Sequence, residues 1–178
     1  TSIVLAAGKG TRMNSSLSKP LHSVAGKPML SHIIENIREA KLNDIIVVIS
    51  EDNDDIQNYL GINYPEVRIS IQDEQNGTGG AVKSVFENYD LSDSDGIIVI
   101  FGDTPLLTIK SIKKLANSID QDDLTIMAFD TENPQGYGRI ILKDNKLNSI
   151  VEDFNTTDEN KNIKLCNGGV MALKNQNL

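Results

Sequence analysis

The chain has 178 residues, of which 39% are hydrophobic and 24% charged, a composition typical of a globular protein that buries a sizeable core. The net charge of −8 at pH 7 argues against general affinity for nucleic acids or anionic membranes, and we expect neither partner. Cys166 is the only cysteine, which excludes an intrachain disulfide and a zinc framework; because no apolar run is long enough to span a membrane, we expect a cytoplasmic protein.

The first thirteen residues combine a buried strand with a glycine-rich turn. Residues 3–5 form an apolar run without polar alternation, which predicts a strand buried on both faces. Gly8 and Gly10 follow, and glycines here let backbone N–H groups approach an anion, while Lys9 and Arg12 add positive charge. Open α/β folds bind ligands at this edge of the sheet. The stretch therefore predicts a site for a nucleoside triphosphate or a sugar nucleotide.

Two familiar phosphate-binding patterns do not fit this turn. The dinucleotide fingerprint needs a glycine at position 13, which is methionine, and a P-loop needs a glycine-lysine pair followed by serine or threonine. The alternative is a glycine-rich turn that binds nothing. Positive charge concentrated in residues 9–19 of an acidic protein favours a phosphate site over that alternative.

Strands and amphipathic helices alternate through the rest of the chain. Apolar runs predict strands at 45–49, 67–71, 97–101, 124–129, 139–142, 147–151 and 167–173. Apolar residues at helical spacing predict helices opened by Pro28, over 52–60, after the glycines at 77–80, and after a capping Thr108. The remaining stretches 14–27, 90–96 and 153–162 are predicted to be loops. This alternation indicates one α/β domain over residues 1–178, a Rossmann-like three-layer fold with a mostly parallel central sheet.

Polar side chains follow two of the predicted strands. Asp103 comes directly after the strand at 97–101, where a carboxylate suits Mg²⁺; the alternative is an aspartate that caps the turn before Pro105. Gln72 lies ahead of the glycine-rich stretch 77–80, and its amide offers the donor and acceptor needed to read a pyrimidine edge. The alternative for this second stretch is a solvated polar loop.

The second half of the chain offers a weaker group of candidates. Gly138, Glu152 and Asn167 place a small residue, a carboxylate and an amide at the ends of predicted strands. Hydroxyl-rich ligands such as sugars are bound by this mixture of groups. Taken singly, the turn at 136–139 is also compatible with a hairpin, and Glu152 with an ordinary surface charge.

Taken in order, these stretches resemble one family. The matching motifs are LAAGKGTRM at 5–13, KPLH at 19–22, AGKPML at 25–30, Gln72 with GTGGA at 77–81, FGDTPLL at 101–107, GYGRI at 136–140, IVE at 150–152 and NGGV at 167–170. They are similar to the uridylyltransferase domain of the bacterial bifunctional GlmU proteins, within the sugar nucleotidyltransferase superfamily. The resemblance implies the fold of nucleotide-diphospho-sugar transferases. It also implies Mg²⁺-dependent uridylyl transfer from UTP to N-acetylglucosamine 1-phosphate, giving UDP-N-acetylglucosamine for peptidoglycan and lipopolysaccharide synthesis, and pyrophosphate.

The resemblance also implies a role for each matching residue. The uridine nucleotide would contact Leu5, Ala6, Ala7 and Gly8. Its phosphates would face the catalytic residues Arg12 and Lys19. Its uracil would be read by Gln72, Gly77 and Thr78. The magnesium ion would be held by Asp103, and the amino sugar by Gly138, Glu152 and Asn167.

The sequence departs from the family in three respects. Gly168 stands where the family usually has threonine, which puts one sugar contact in question. The family's second metal ligand is an asparagine farther along than Leu178, and the hexapeptide repeats of the β-helix acetyltransferase domain are absent. We therefore expect either a chain truncated at its C-terminus or a shortened relative. A homo-oligomer is compatible with this expectation, and a full-length protein that carries the β-helix would be a trimer. A transferase for another sugar phosphate or base, and a nucleotide-binding module without turnover, are the alternatives.

Overall fold

The computed structural model describes residues 1–8, 10, 13, 15–73 and 77–175. The chain forms two compact units: unit 1 comprises Thr1–Thr125 and Ala172–Leu178, and unit 2 comprises Ile126–Met171. The single domain expected from the sequence stays a prediction. Arg12, proposed above as a phosphate-facing residue, lies outside the described residues, as does Lys9.

The described residues form ten strands and four α-helices. The strands are β1 (Ser2–Leu5), β2 (Ser23–Val24), β3 (Lys27–Pro28), β4 (Ile45–Ser50), β5 (Arg68–Gln72), β6 (Gly96–Phe101), β7 (Leu124–Asp130), β8 (Arg139–Lys143), β9 (Lys146–Val151) and β10 (Leu165–Lys174). The helices are α1 (Met29–Glu39), α2 (Asp54–Asn63), α3 (Thr78–Asn88) and α4 (Ile109–Ser118). Short 3₁₀ helices cover Lys19–Leu21 and Asp153–Asn155.

Parallel strands in the order β5-β4-β1-β6 form the sheet of unit 1. Leu5 lies in register with Val48 and with Phe101, so β1 and β6 end at the same edge of the sheet. Every residue of β1 and β4 is buried, as the continuous apolar runs predicted. Helix α3 packs on β1, β4 and β5, and α1 packs on α4. The predicted α/β fold with a mostly parallel central sheet is confirmed.

The apolar core is concentrated in unit 1. The largest fully buried side chains all belong to it: Ile3, Leu30, Ile33, Ile34, Ile37, Ile46, Ile49, Ile56, Leu60, Ile97, Ile100 and Ile112. They come from the parallel strands and from the inner faces of α1, α2 and α4. Burial of this apolar surface gives unit 1 its stability and fixes the sheet edge from which the loops emerge.

Unit 2 is built from antiparallel strands. Strand β8 pairs with β9 in a hairpin, and on its other side it pairs with β10, where Arg139 lies opposite Cys166. The hairpin turn contains Asp144 and Asn145, both with positive φ, a conformation that aspartate and asparagine tolerate better than most residues. Strand β7 also pairs with β10. The hairpin of this unit therefore follows the GYGR stretch and does not coincide with it.

Three details of the sequence-based prediction need correction. The stretches 14–27 and 153–162, both predicted to be loops, each contain a short 3₁₀ helix, and the first also contains the strand β2, which pairs with β3. Pro28 does not start α1 but precedes it, because it ends β3 opposite Ser23. Helix α2 starts at Asp54, two residues later than predicted, because the Asn53 side chain accepts hydrogen bonds from Ser50. The predicted cap of α4 is confirmed, since Thr108 Oγ1 accepts from the Ser111 N–H at 3.2 Å.

Candidate nucleotide site

A cleft of about 320 Å³ opens in unit 1 at the carboxyl ends of β1, β5 and β6. Its lining residues are Leu5, Ala6, Ala7, Gly8, Lys19, Pro20, Gln72, Gly77, Thr78, Ala81, Phe101 and Asp103. The described residues of unit 1 that the resemblance assigned to the nucleotide and the metal all line this cleft. Lys9 and Arg12 lie outside the described residues. Ligand sites of open α/β folds lie at this edge of the sheet.

Small side chains form one wall of the cleft where the chain leaves β1. The Ala6 N–H donates to the Val48 carbonyl at 2.8 Å, and the Gly102 N–H donates to the Leu5 carbonyl at the same distance. These bonds continue the strand pairing past the end of β1 and fix the backbone there. Because Ala6 and Ala7 project little beyond the backbone, space remains for a ligand in front of it.

The opposite side of the cleft is formed by the end of β5 and the start of α3. Gln72 is only 5% exposed, and its side-chain Nε2 donates to the Gly77 carbonyl at 3.4 Å. Gly77 has φ of +91°, a conformation in which a side chain would be strained. Helix α3 starts at the next residue without a side-chain cap among the described residues, so its first N–H groups and the positive end of its dipole face the turn. This side of the cleft therefore offers an amide and helix N–H groups.

A pair of opposite charges completes the cleft. Lys19 is the first residue of the 3₁₀ helix, and its Nζ donates to Asp103 Oδ2 at 2.5 Å. The two side chains are 39% and 36% exposed, so both groups are accessible to a ligand. Asp103 follows β6 by two residues, at the strand end where the sequence analysis expected it. The ion pair brings the predicted phosphate-binding cation and the predicted metal ligand into direct contact.

The donor set at Asp103 suits a magnesium ion that shares its coordination shell with substrate. The described residues contain no cluster of three or more carboxylate, histidine or cysteine side chains around a common point. Mg²⁺ commonly takes one or two protein carboxylates and fills its other positions with phosphate oxygens and water. A single carboxylate in an open cleft therefore fits Mg²⁺ bound together with a nucleotide.

In unit 2 the structure brings together the three residues that the sequence singled out for a sugar. The Asn167 N–H donates to the Gly138 carbonyl at 2.8 Å. A Cβ added at Gly138 would lie 3.3 Å from Glu152 Oε1 and 3.0 Å from a methyl carbon of Ile150. The absence of a side chain at Gly138 thus leaves the Glu152 carboxylate room to lie beside the backbone. The side-chain oxygen of Asn167 accepts from the Gly169 N–H at 2.9 Å, which fixes the amide.

The glycine that departs from the family pattern has a steric explanation. A Cβ added at Gly168 would lie 2.8 Å from the Met127 carbonyl oxygen. That distance is too short for any side chain unless the backbone of β7 or β10 moves. The close approach of these strands explains why glycine fits at this position, and it leaves no hydroxyl there to contact a sugar.

Comparison with known proteins identifies the family of the chain. The model of the MobA-like NTP transferase domain family matches residues 2–156. The chain belongs to this family. Among curated relatives, the bifunctional protein GlmU is 40% identical over 176 residues in Brucella anthropi and 39% identical over 178 residues in Staphylococcus epidermidis. Each match covers 98% of this chain but only 38% of the relative, so the chain spans well under half the length of these proteins.

Two solved structures have the same fold as this chain. HddC from Yersinia pseudotuberculosis, complexed with GMP-PN, superposes with a TM-score of 0.73 at 26% identity, covering 98% of this chain and 76% of that one. A putative glucose-1-phosphate thymidylyltransferase from Bacillus anthracis superposes with a TM-score of 0.75, covering 98% of this chain and 71% of that one. At 19% identity the second likeness shows the fold alone. The fold expected from the sequence is therefore shared with sugar nucleotidyltransferases.

Sequence reasoning missed a buried charge in this NTP transferase domain. Arg139 is 3% exposed, and its guanidinium donates to the carbonyls of Tyr137 and Lys161 and, at 2.8 Å, to Asp153 Oδ1. The hydrogen bond from Arg139, with a further bond from the Gly136 N–H, lowers the pKa of the Asp153 carboxyl. The sequence did contain a signal for this buried charge, namely an arginine at the start of an apolar strand. When a charge at such a position is buried, it needs hydrogen-bond partners.

The cleft also includes apolar residues without an assigned role. Pro20, Ala81 and Phe101 line it beside the polar candidates. All three lie inside motifs that the sequence analysis had marked, but none carries a polar side-chain group that would have singled it out. They supply the apolar surface that most small-molecule sites contain.

Within the described ranges, none of the helices has both the length and the apolar character needed to cross a bilayer.

Proposed function

We propose that this nucleotidyltransferase domain transfers a uridylyl group from UTP to N-acetylglucosamine 1-phosphate, releasing pyrophosphate. The observation that carries the proposal is the meeting of Gln72, Lys19 and Asp103 in one cleft at the carboxyl edge of the sheet. A base-reading amide, a cation and a metal-binding carboxylate are what a nucleoside triphosphate needs. The GlmU relatives match 98% of this chain, and the resemblance to their uridylyltransferase domain supports the choice of UTP and of the amino sugar.

In this proposal the nucleotide binds between the two sides of the cleft. The backbone from Leu5 to Gly8 and the start of α3 hold the nucleoside, and Gln72 offers a donor and an acceptor to the uracil edge. Lys19 neutralises charge on the phosphates, and Arg12 would add a second cation there. Asp103 would hold the Mg²⁺, which supplies charge neutralisation to the phosphates when it is bound. Gly77 and Thr78 form the turn beside the base.

The sugar phosphate is assigned to the cluster in unit 2. Glu152 and Asn167 offer a carboxylate and an amide, which hydrogen-bond well to sugar hydroxyl and acetamido groups. Gly138 leaves room beside the carboxylate. The buried Arg139 fixes the backbone around them through the carbonyls of Tyr137 and Lys161.

The reaction needs positioning and charge neutralisation and no protein nucleophile. An oxygen of the sugar 1-phosphate attacks the α-phosphorus of UTP, the bond from that phosphorus to the bridging oxygen breaks, and pyrophosphate leaves. Negative charge grows on the leaving group during this displacement. The Lys19 ammonium stabilises that charge because it is held in the cleft before the reaction begins.

The test is release of pyrophosphate from UTP and N-acetylglucosamine 1-phosphate, measured with Mg²⁺ and with a chelator. We expect activity that requires the metal and that exceeds activity with CTP or GTP. UTP binding is measured separately by calorimetry, since binding depends on the cleft of unit 1 alone. Preference for another nucleotide would overturn the choice of UTP, and binding without pyrophosphate release would indicate a nucleotide-binding module.

Replacement of Gln72 tests how the base is read. Gln72→Ala should reduce the preference for UTP over CTP by about tenfold, because an unmatched buried polar group costs roughly 1–3 kcal/mol. Gln57→Ala, at an exposed position of α2, is the matched control and should leave the preference unchanged. An unaltered preference in Gln72→Ala would show that Gln72 does not read the base.

A further inference from the structure

The segment that precedes Lys19 is tethered by a carboxylate outside the cleft. The Ser18 N–H donates to Asp55 Oδ2 at 2.8 Å, and the Ser18 hydroxyl donates to Asp55 Oδ1 at 2.7 Å. Both oxygens of one carboxylate therefore bind the same residue, through its backbone and through its side chain. Ser18 occupies the N-cap position of the 3₁₀ helix, yet its hydroxyl makes no capping bond and is used for this tether. Charge-assisted bonds of this kind are stronger than neutral ones.

The tether extends to the sheet. Asn53 Nδ2 donates to the Ser18 hydroxyl at 3.1 Å, and Asn53 Oδ1 accepts from the N–H and the hydroxyl of Ser50 at 3.0 and 2.7 Å. Ser50 is buried and is the last residue of β4. A continuous chain of hydrogen bonds thus connects the end of β4, through Asn53 and Ser18, to the first turn of α2.

Lys19 reaches from this tether to the far side of β1. Strand β1 lies between β4 and β6, and Asp103 follows β6. The backbone of Lys19 is held on the β4 side through Ser18, whereas its ammonium binds Asp103 on the β6 side. A Cβ added at Gly10 would lie 3.0 Å from Lys19 Cβ, so Gly10 lies against the stem of the lysine. The position of the ammonium therefore depends on where Ser18 is held.

We propose that Asp55 is a positioning residue that sets the place of the Lys19 ammonium in the cleft. The inference rests on the proposed function, because it assigns to Lys19 the stabilisation of phosphate charge. Burial raises the pKa of the Asp55 carboxyl, but the hydrogen bonds from Ser18 and from the Ile56 N–H outweigh this effect. The pKa therefore lies below its ordinary value, and the group is held in its charged form. Asp55 itself is not among the residues that line the cleft.

The competing explanation is that Asp55 only stabilises α2. An acidic residue in the first turn of a helix interacts favourably with the helix dipole, and both Asp54 and Asp55 lie in that turn. Asp54 is exposed, whereas Asp55 is half-buried and bound to Ser18. Asp54→Asn is therefore the matched control: it removes the same charge from the same turn without touching the tether.

The first measurement does not depend on turnover. The ligand-free protein is labelled with an amine-reactive acetylating reagent, and modification of Lys19 is followed by mass spectrometry. Asp55→Asn should raise the labelling rate of Lys19 about threefold, because the ammonium spends less time against Asp103. Asp54→Asn should leave the rate unchanged. Ser18→Ala, which keeps the backbone bond and loses the hydroxyl bond, should give an intermediate rate.

The second measurement uses UTP and N-acetylglucosamine 1-phosphate. Asp55→Asn should lower kcat about tenfold while KM for UTP changes little, because a displaced catalytic group costs rate more than binding. In a Lys19→Met background the same substitution should have no further effect, since Asp55 acts through Lys19. Additive losses in the double variant would show that Asp55 has a general structural role and would overturn the proposal.

The two measurements separate failure of the inference from failure of the proposed function. If the unmutated protein shows no turnover with any nucleotide, the proposed function fails, and the labelling rates still decide whether Asp55 positions Lys19. If Lys19 is labelled equally fast in Asp55→Asn, Asp54→Asn and the unmutated protein, the positioning role is wrong. If Asp55→Asn does not fold, Ser18→Ala decides instead. Labelling of Lys19 that is faster than in the unmutated protein supports the positioning role, and an unchanged rate overturns it.

Discussion

The two units hold their candidate ligand groups in different ways. In unit 1 the polar groups follow parallel strands that are buried on both faces, and apolar packing fixes the strand ends. In unit 2 every residue of β7 and β9 is half-buried or exposed, and few apolar side chains of the described residues are fully buried. There the buried guanidinium of Arg139 connects the backbone segments around Glu152. Apolar burial therefore positions the cleft, whereas polar bonds position the cluster.

The largest expected effect comes from the apolar core of unit 1. Ile46 is fully buried in β4, so Ile46→Ala should lower the free energy of unfolding by roughly 2–5 kcal/mol through lost burial and the cavity left behind. Leu147→Ala in β9 is the control in unit 2; its side chain is 39% exposed, and the expected loss is under about 1 kcal/mol. Urea denaturation measures both. Equal losses would break the contrast between the units.

The next effect concerns the polar core of unit 2. Arg139→Met should cost about 2–3 kcal/mol, because the carbonyls of Tyr137 and Lys161 lose their donor while the apolar stem is kept. Lys164→Met removes a cation from an exposed ion pair with Glu132 in the same unit and should cost under about 1 kcal/mol. Comparable stability of the two variants in urea would show that Arg139 does not hold unit 2 together.

These two predictions also mark how far the sequence determines the fold. Strands β1, β4 and β6 were predictable because a continuous apolar run has few alternatives when both faces are buried. The two-residue strands β2 and β3 carry no such pattern and were missed. Their pairing depends on a local turn, for which the sequence offered only Ala25 and Gly26.

The candidate site was predictable to a similar degree. Gln72 and Asp103 lie in one cleft because parallel strands end at one edge, a rule that needs no knowledge of side-chain contacts. Lys19 lies in a 3₁₀ helix, and its motif pointed to this cleft only through the resemblance. The role of Arg139 was not predictable, because its acceptors at Lys161 and Asp153 come from segments whose proximity only the folded chain establishes. The tether between Ser18 and Asp55 was missed for the same reason.

A smaller effect tests the close packing of unit 2. Gly168→Ala would place a Cβ 2.8 Å from the Met127 carbonyl oxygen, and the required shift of a strand should cost roughly 1–2 kcal/mol. Gly61→Ala in α2 is the control of opposite sign: no atom lies near the added Cβ, and alanine is the better helix former by roughly 1 kcal/mol. A Gly168→Ala variant as stable as the unmutated protein would show that β7 and β10 adjust freely.

The smallest effect is an acid dependence that both units share. Asp55 and Asp153 each have a pKa lowered below the unfolded value of about 3.9. Their charged forms therefore stabilise the fold above that pH, and this contribution is lost as the pH falls through the folded pKa. Asp55→Asn and Asp153→Asn should each be less stable than the unmutated protein at pH 7, and the differences should narrow toward about pH 3.

Urea denaturation at several pH values checks the acid dependence, with Asp54→Asn as the control. Asp54 is exposed, and its replacement should change stability little at any pH. A difference between Asp153→Asn and the unmutated protein that stays constant down to about pH 3 would show that the bond to Arg139 does not depend on the charge of the carboxylate.

The position of β1 between β4 and β6 also sets the time at which the cleft is completed during translation. Its residues pair with Ile45–Val48 on one side and with Ile98–Phe101 on the other. A ribosome adds about 5–20 residues per second, so β6 follows β1 by on the order of 5–20 seconds. Throughout that interval one edge of an apolar strand is unpaired, and such an edge can pair with another chain. The strand that leads into the glycine-rich turn is therefore the part of the nascent chain that most needs protection from aggregation.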